Sequence, residues 1–126
     1  MAGITTLYRP VGQKELDLIV QNGHKAFPPR LPEQPIFYPV LNYEYAEQIA
    51  REWNTRDEHS GFVGYVVEFD VDSDYLSCFE IRKVGGAHHL EYWIPAEELE
   101  EFNRHIQGDI RVIAHFGRAD GPSEVG

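Results

Sequence analysis

The stretch His88–Leu99, HHLEYWIPAEEL, decides how the chain folds, because it reads as a strand that runs out into a helix. Leu90, Tyr92 and Ile94 fall on one face of an extended segment, and His89, Glu91 and Trp93 fall on the other. Pro95 has no N–H for a ladder and disfavours helix at Ile94, so the strand ends there. Glu97 and Glu98 then occupy a first helical turn, where the macrodipole favours negative charge. Glu91 stands out as a carboxylate in a strand otherwise made of rings and aliphatic groups.

Working outward, 126 residues suit one domain with a genuine core. The domain is expected over residues 1–116, followed by a frayed tail over 117–126, GRADGPSEVG. A hydrophobic share of 42% and a charged share of 25% describe a globular chain. The net charge of −10 argues against binding a nucleic-acid backbone, which needs a basic face. One cysteine, Cys78, excludes an internal disulfide; in the strand-like run YLSCFEIR it reads as a small buried apolar residue. No segment has the length and apolarity of a membrane span and the start lacks a signal pattern, so a cytoplasmic protein is expected.

Before the key stretch, Ile4–Arg9 is a β-rich run closed by Pro10. Gln13–Gln21 predicts a helix with Leu16, Ile19 and Val20 on one side and Gly23 as its left-handed cap. Lys25–Pro35 carries four prolines and reads as an extended, functional-length loop. Ile36–Val40 predicts a strand, and Asn42 caps a helix to about Trp53 with Tyr45, Ile49 and Trp53 on one stripe. Phe62–Val71 predicts the longest strand, Asp72–Asp74 a turn, Tyr75–Ile81 a strand and Gly85-Gly86 a second turn. The helix after Pro95 buries Leu99, Phe102 and Ile106 and ends at Gly108, before a last strand over Ile110–Phe116. This order predicts an α+β domain with a curved or split mixed sheet and about three helices.

Three stretches resemble the ADP-ribosyltransferase fold. Leu7-Tyr8-Arg9 is similar to the family's first strand, ending in a residue that holds adenosine ribose and phosphates. Pro35-Ile36-Phe37-Tyr38 and the helix with Tyr45, Ala46 and Ala50 resemble its aromatic strand and following helix, and that aromatic element packs on nicotinamide in the family. Glu91-Tyr92 resembles the strand bearing the catalytic glutamate. The likeness spans Leu7 to about Phe116 and is shared with short bacterial proteins labelled "ADP-ribosylation/crystallin J1". The all-helical hydrolases of that label do not fit so short and β-rich a chain. Arg9-Pro10 stands where many members have histidine-glycine, and the Ser-Thr-Ser triplet of the arginine-type subclass is missing, with only Ser60-Gly61 in its place. The resemblance implies NAD as co-substrate, transfer of ADP-ribose to an unspecified acceptor, Glu91 as the catalytic residue, and Arg9, Tyr38, Arg30 and Tyr8 as cofactor-binding residues.

The chemistry asks for such residues. Breaking the nicotinamide–ribose bond develops positive charge beside the ring oxygen, which a fixed carboxylate stabilises. A planar aromatic such as Tyr38 can pack on nicotinamide, and the guanidinium forks of Arg9 and Arg30 match diphosphate oxygens. Each has a structural rival: Glu91 as a solvated strand residue, Arg9 as the partner of an acidic side chain, Tyr38 as core. Two other functions stay open, a non-catalytic ligand-binding or interaction domain, and a metal-dependent enzyme using His89 and Glu91 with His105 or His115. His88 and His89 point to opposite faces of a strand, so the pair does not readily hold one ion.

Overall fold

The computed structural model describes residues 3–31, 33–83 and 89–117. Among the described residues four helices, α1 (Gln13–Gln21), α2 (Tyr43–Glu52), α3 (Ser73–Leu76) and α4 (Leu99–Arg104), are interspersed with seven strands. The strands are β1 (Ile4–Val11), β2 (Ile36–Phe37), β3 (Val63–Asp72), β4 (Ile81–Lys83), β5 (Leu90–Tyr92), β6 (Ile94–Pro95) and β7 (Ile106–Gly117). The fold is α+β. All strand pairs among the described residues are antiparallel, in place of the mixed sheet the sequence suggested.

The central sheet has the order β1-β3-β7, with two-stranded pairs β2-β6 and β4-β5 beside it. Val40 joins these parts: it bridges Tyr8 on one side and Glu91 on the other. Tyr8 and Val40 exchange both backbone hydrogen bonds, at 2.9 and 2.8 Å. In an antiparallel register the next such pair would be Pro10 with Tyr38, and Pro10 has no N–H to give. The ladder therefore stops on that side and the sheet splits. Pro10 does not end β1 as expected, because its pairing to Val66 of β3 uses the opposite edge and carries on to Val11.

Two layers of apolar side chains cover the sheet. On one face Leu7, Val11, Phe69 and Val71 pack with Ile19 of α1 and Phe102 of α4. Phe27, from the proline-rich loop, enters this core with its ring 4.8 Å from Phe69 and 5.0 Å from Phe37. On the other face Ala46 and Ala50 of α2 close on Val40 and Val66. Here Gly64 lies so near Ala50 that a Cβ on it would fall 2.9 Å from the Ala50 Cα and closer still to its carbonyl oxygen.

The local rules for helix ends hold. Asn42 accepts a 2.9 Å bond from the Tyr45 N–H at the start of α2. Gly23 follows α1 at φ 71°, with its N–H on Val20 and that of His24 on Ile19, a Schellman arrangement. Val20 turns to solvent instead of joining Leu16 and Ile19, and Trp53 is likewise exposed.

Ser73–Leu76 is helical, in place of the turn over Asp72–Asp74 and the strand expected over Tyr75–Ile81. The Asp72 carboxylate accepts the Asp74 N–H and starts the short helix α3, so strand pairing begins only at Ile81. Cys78 follows that helix and is exposed, not buried. After Pro95 the chain passes through a 3-10 turn, Ala96–Glu98, into α4, which ends at Arg104; Ile106 already belongs to β7. Gly108 lies in that strand at φ 80°, where β7 bulges against β3. The expected Gly85-Gly86 turn, His88 and positions 118–126 lie outside the described residues. Among the described residues no helix is long and apolar enough to cross a membrane.

Candidate functional site

A cleft of about 520 Å³ opens where the sheet splits. Arg9, Arg30, Tyr38 and Glu91, which sequence reasoning proposed from separate stretches, all line it. Trp93, Tyr45 and Asn54 join them. The split explains the mixture. Tyr45 reaches the cleft from α2 on one face of the sheet, while Arg9 shares the face of Leu7 and Val11.

Glu91 is 7% exposed. One carboxylate oxygen accepts the Trp93 indole N–H at 2.7 Å, and the other accepts the Tyr45 hydroxyl at 3.1 Å. Trp93 reaches it because residues two apart on a strand share a face. Neutral donors thus satisfy a buried anion, and among the described residues no cationic side chain is paired with it. Burial, then the charge of Glu91 and the bond to it, push the Tyr45 phenol up to about 12. The Tyr45 ring is fixed from behind by His89, stacked 4.3 Å away, whose Nε2 lies 3.2 Å from Gln48 Oε1. Tyr38 meets Trp93 edge-to-face at 5.6 Å. The Arg82 guanidinium lies 4.3 Å from the Trp93 ring centre and is ion-paired to Glu80.

At the other side of the cleft Arg9 is 8% exposed and held by Glu15 of α1 through two bonds, Nε at 2.7 Å and Nη2 at 3.1 Å. The bidentate pair largely neutralises a charge that burial alone would penalise. Arg9 and Arg30 both lie over the Phe37 ring, 4.7 and 5.9 Å from its centre. Arg30 has no carboxylate partner among the described residues, and its Nε is buried without a hydrogen-bond acceptor. Desolvation, reinforced by the charge of Arg9, lowers its basicity. The Nε itself is closed to solvent, but a half-buried guanidinium without a carboxylate partner at the wall of an open cleft suits an anionic ligand group. The loop carrying Arg30 is pinned by Asn103, which accepts from the Phe27 N–H at 2.9 Å and donates to its carbonyl at 3.1 Å.

Arg9, Pro10, Arg30 and Asn54 are also walls of an adjoining cavity of about 380 Å³ that continues past Lys14, Gln34 and His59. Ser60 borders it but is committed, accepting from Asn54 at 2.8 Å and donating to Asp57 at 3.0 Å.

Tyr8 stands apart from the cleft. It faces α2, edge-on to Tyr43 at 6.1 Å, and burial and Glu68 raise its phenol. The histidines considered with Glu91 are separated from it: His105 stacks on Tyr75 at 3.9 Å and His115 on Tyr65 at 4.8 Å. Among the described residues no three metal-ligating side chains cluster. Tyr45, Trp93 and Glu15 were missed as site residues. The signal for Trp93 lay in the alternation of the strand itself, whereas Tyr45 and Glu15 arrive only through tertiary packing. Compared with known protein families, curated proteins and solved structures, the chain matches none.

Proposed function

We propose that this chain is an NAD-dependent ADP-ribosyltransferase-like protein, breaking the nicotinamide–ribose bond and passing ADP-ribose to an acceptor nucleophile. One observation carries the reading: a buried carboxylate fixed by neutral donors and a guanidinium with an unsatisfied nitrogen line the same cleft. The adjoining cavity supplies room for the second nucleoside of a dinucleotide.

In this reading nicotinamide packs against Tyr38, and Arg30 takes the diphosphate, joined by Arg9 when phosphate oxygens replace Glu15. The C–N bond breaks with its electron pair leaving on nicotinamide, which departs neutral. Positive charge spreads over the ribosyl carbon and ring oxygen, opposite the ionised Glu91. A lone pair of the acceptor then forms the new bond at that carbon, and its proton passes to the carboxylate. Glu91 supplies charge stabilisation that strengthens in the transition state, because Tyr45 and Trp93 hold it in place beforehand.

The test is nicotinamide release from NAD by wild type and by Glu91→Gln. Loss of about 10²–10³-fold in the variant is expected for removal of a preorganised charge. Equal rates would take Glu91 out of the mechanism. A second reading is a binding module of the same fold, favoured by the filled fork of Arg9. Calorimetric binding of NAD with no release by either protein, acceptor supplied, selects it.

A further inference from the structure

Among the described residues Arg9, Lys25, Arg51, Arg82, Arg104 and Arg111 each face a carboxylate at ion-pair distance. Of the cations without one, Lys14 and Arg30 line the same cavity, the one of about 380 Å³ beyond the cleft, and His59 borders it too. Arg9 and Glu15 cancel on its wall. The Asp57 carboxylate is occupied there, accepting the His59 backbone N–H at 3.1 Å and the Ser60 hydroxyl at 3.0 Å. In a chain of net charge −10 this cavity thus carries an excess of positive charge.

Gly12 brings the parts together. A Cβ on it would fall 2.6 Å from the Ser60 Cα, so its bare backbone lets the 3-10 turn Glu58–Ser60 lie against the start of α1. His59 comes from that turn and Lys14 from the helix. Arg30 stands on the wall shared with the cleft, whereas Lys14 and His59 belong only to the further cavity. Leu18 and Leu31 give it an apolar side, and Leu31 is 55% exposed at that position.

From this arrangement we propose that the further cavity receives a phosphomonoester on the 2′ oxygen of the distal nucleoside, with Lys14 and His59 donating to its oxygens and the base against Leu18 and Leu31. The proposal rests on the dinucleotide reading above and sharpens it: the preferred co-substrate is the 2′-phosphorylated dinucleotide, not NAD itself. With Arg30 taken by the diphosphate, Lys14 is the cation left over, and an ammonium suits a phosphate as a point charge. The 2′ carbon adjoins the carbon bearing the base, which suits a base and a phosphate sharing one small cavity.

The experiment is calorimetric titration with adenosine 2′,5′-bisphosphate, adenosine 3′,5′-bisphosphate and AMP, which lack the scissile bond. Folded wild type is expected to bind the 2′,5′-bisphosphate about tenfold more tightly than AMP, and more tightly than its 3′ isomer. Lys14→Gln, at an exposed position, should bring it down to the affinity of AMP, and Lys14→Arg should restore the preference. His59→Gln should lose part of the preference, whereas Leu31→Asn should weaken all the probes alike. Equal binding of 2′,5′-bisphosphate and AMP, binding of neither, a stronger hold on the 3′ isomer, or a preference that survives Lys14→Gln overturns the proposal. Nicotinamide release is followed in parallel from NAD and from its 2′-phosphate, NADP. Release at equal kcat/KM from the two would sink the proposal and leave the transferase reading intact. A 2′-phosphate preference in binding, with release from neither, would do the reverse.

Discussion

The hydroxyl of Tyr45, on helix α2, donates a 3.1 Å hydrogen bond to Glu91 in strand β5. The bond ties the helix covering one face of the sheet to a carboxylate in the opening between its two parts. Replacing Tyr45 with Phe leaves the ring on His89 but removes a donor from a buried anion. The expected loss is about 1.5 kcal/mol in urea unfolding, in line with bonds to charged groups. Nicotinamide release should fall with it, while Gln48→Ala, which removes the polar partner of the His89 ring, should change release far less.

Alkaline pH offers a separate check. The phenols of Tyr45 and Tyr75 are each pushed up to about 12, first by burial and then by nearby carboxylates. In the unfolded chain both titrate near the ordinary value of about 10. The folded state thus holds these protons more tightly, and the associated stability is complete below pH 10 and disappears as pH rises to 12. Denaturation midpoints measured across that window should drop, and Tyr75→Phe should flatten the drop.

Glu15 competes with any anion for Arg9. Glu15→Gln should free the guanidinium and raise affinity for inorganic pyrophosphate about threefold to tenfold by calorimetry, at some cost in stability. Unchanged affinity would place Arg9 outside the ligand's reach.

Gly64 permits the close contact between β3 and α2. Gly64→Ala drives a methyl group into the backbone of Ala50, which cannot swing aside as a side chain can. A loss of about 3 kcal/mol is expected in thermal or denaturant unfolding. Because Tyr45 rides on α2, nicotinamide release at a temperature where the variant is folded should also decline.

Asn103 anchors the loop that carries Arg30 by bonding both backbone groups of Phe27. Asn103→Ala should cost about 2 kcal/mol by leaving those groups unpaired. Weaker pyrophosphate binding by the folded variant would show that the loop positions Arg30 for an anion.

Local signals carried the fold furthest. The bounds of α1, its glycine cap and the Asn42 cap of α2 could be read directly, because capping and periodicity act within a few residues. The segment 73–79 was misread, since the β-rich run around Cys78 masked an Asp72 cap that selects a helical turn. Pro10 was recognised as a ladder breaker, but not which edge it breaks; that depends on Val40, thirty residues away. For the site, Arg9, Tyr38, Arg30 and Glu91 were named from the family resemblance and the chemistry it implies, and they share a cleft. Tyr8, which came with Arg9 in the resemblance, faces the helix instead, because adjacent strand residues point to opposite faces. Glu15 was hidden because its bond to Arg9 forms only once α1 folds back on β1.

Among the described residues the rung at Tyr8 and Val40 is where the two parts of the sheet hold hands. One row of paired residues runs through it, from Arg111 through Glu68, Tyr8, Val40 and Glu91 to Arg82. Any breathing of the cleft must strain this rung first, so deuterium uptake at those two amides is the natural gauge of opening, and a ligand gripping both sides would slow it.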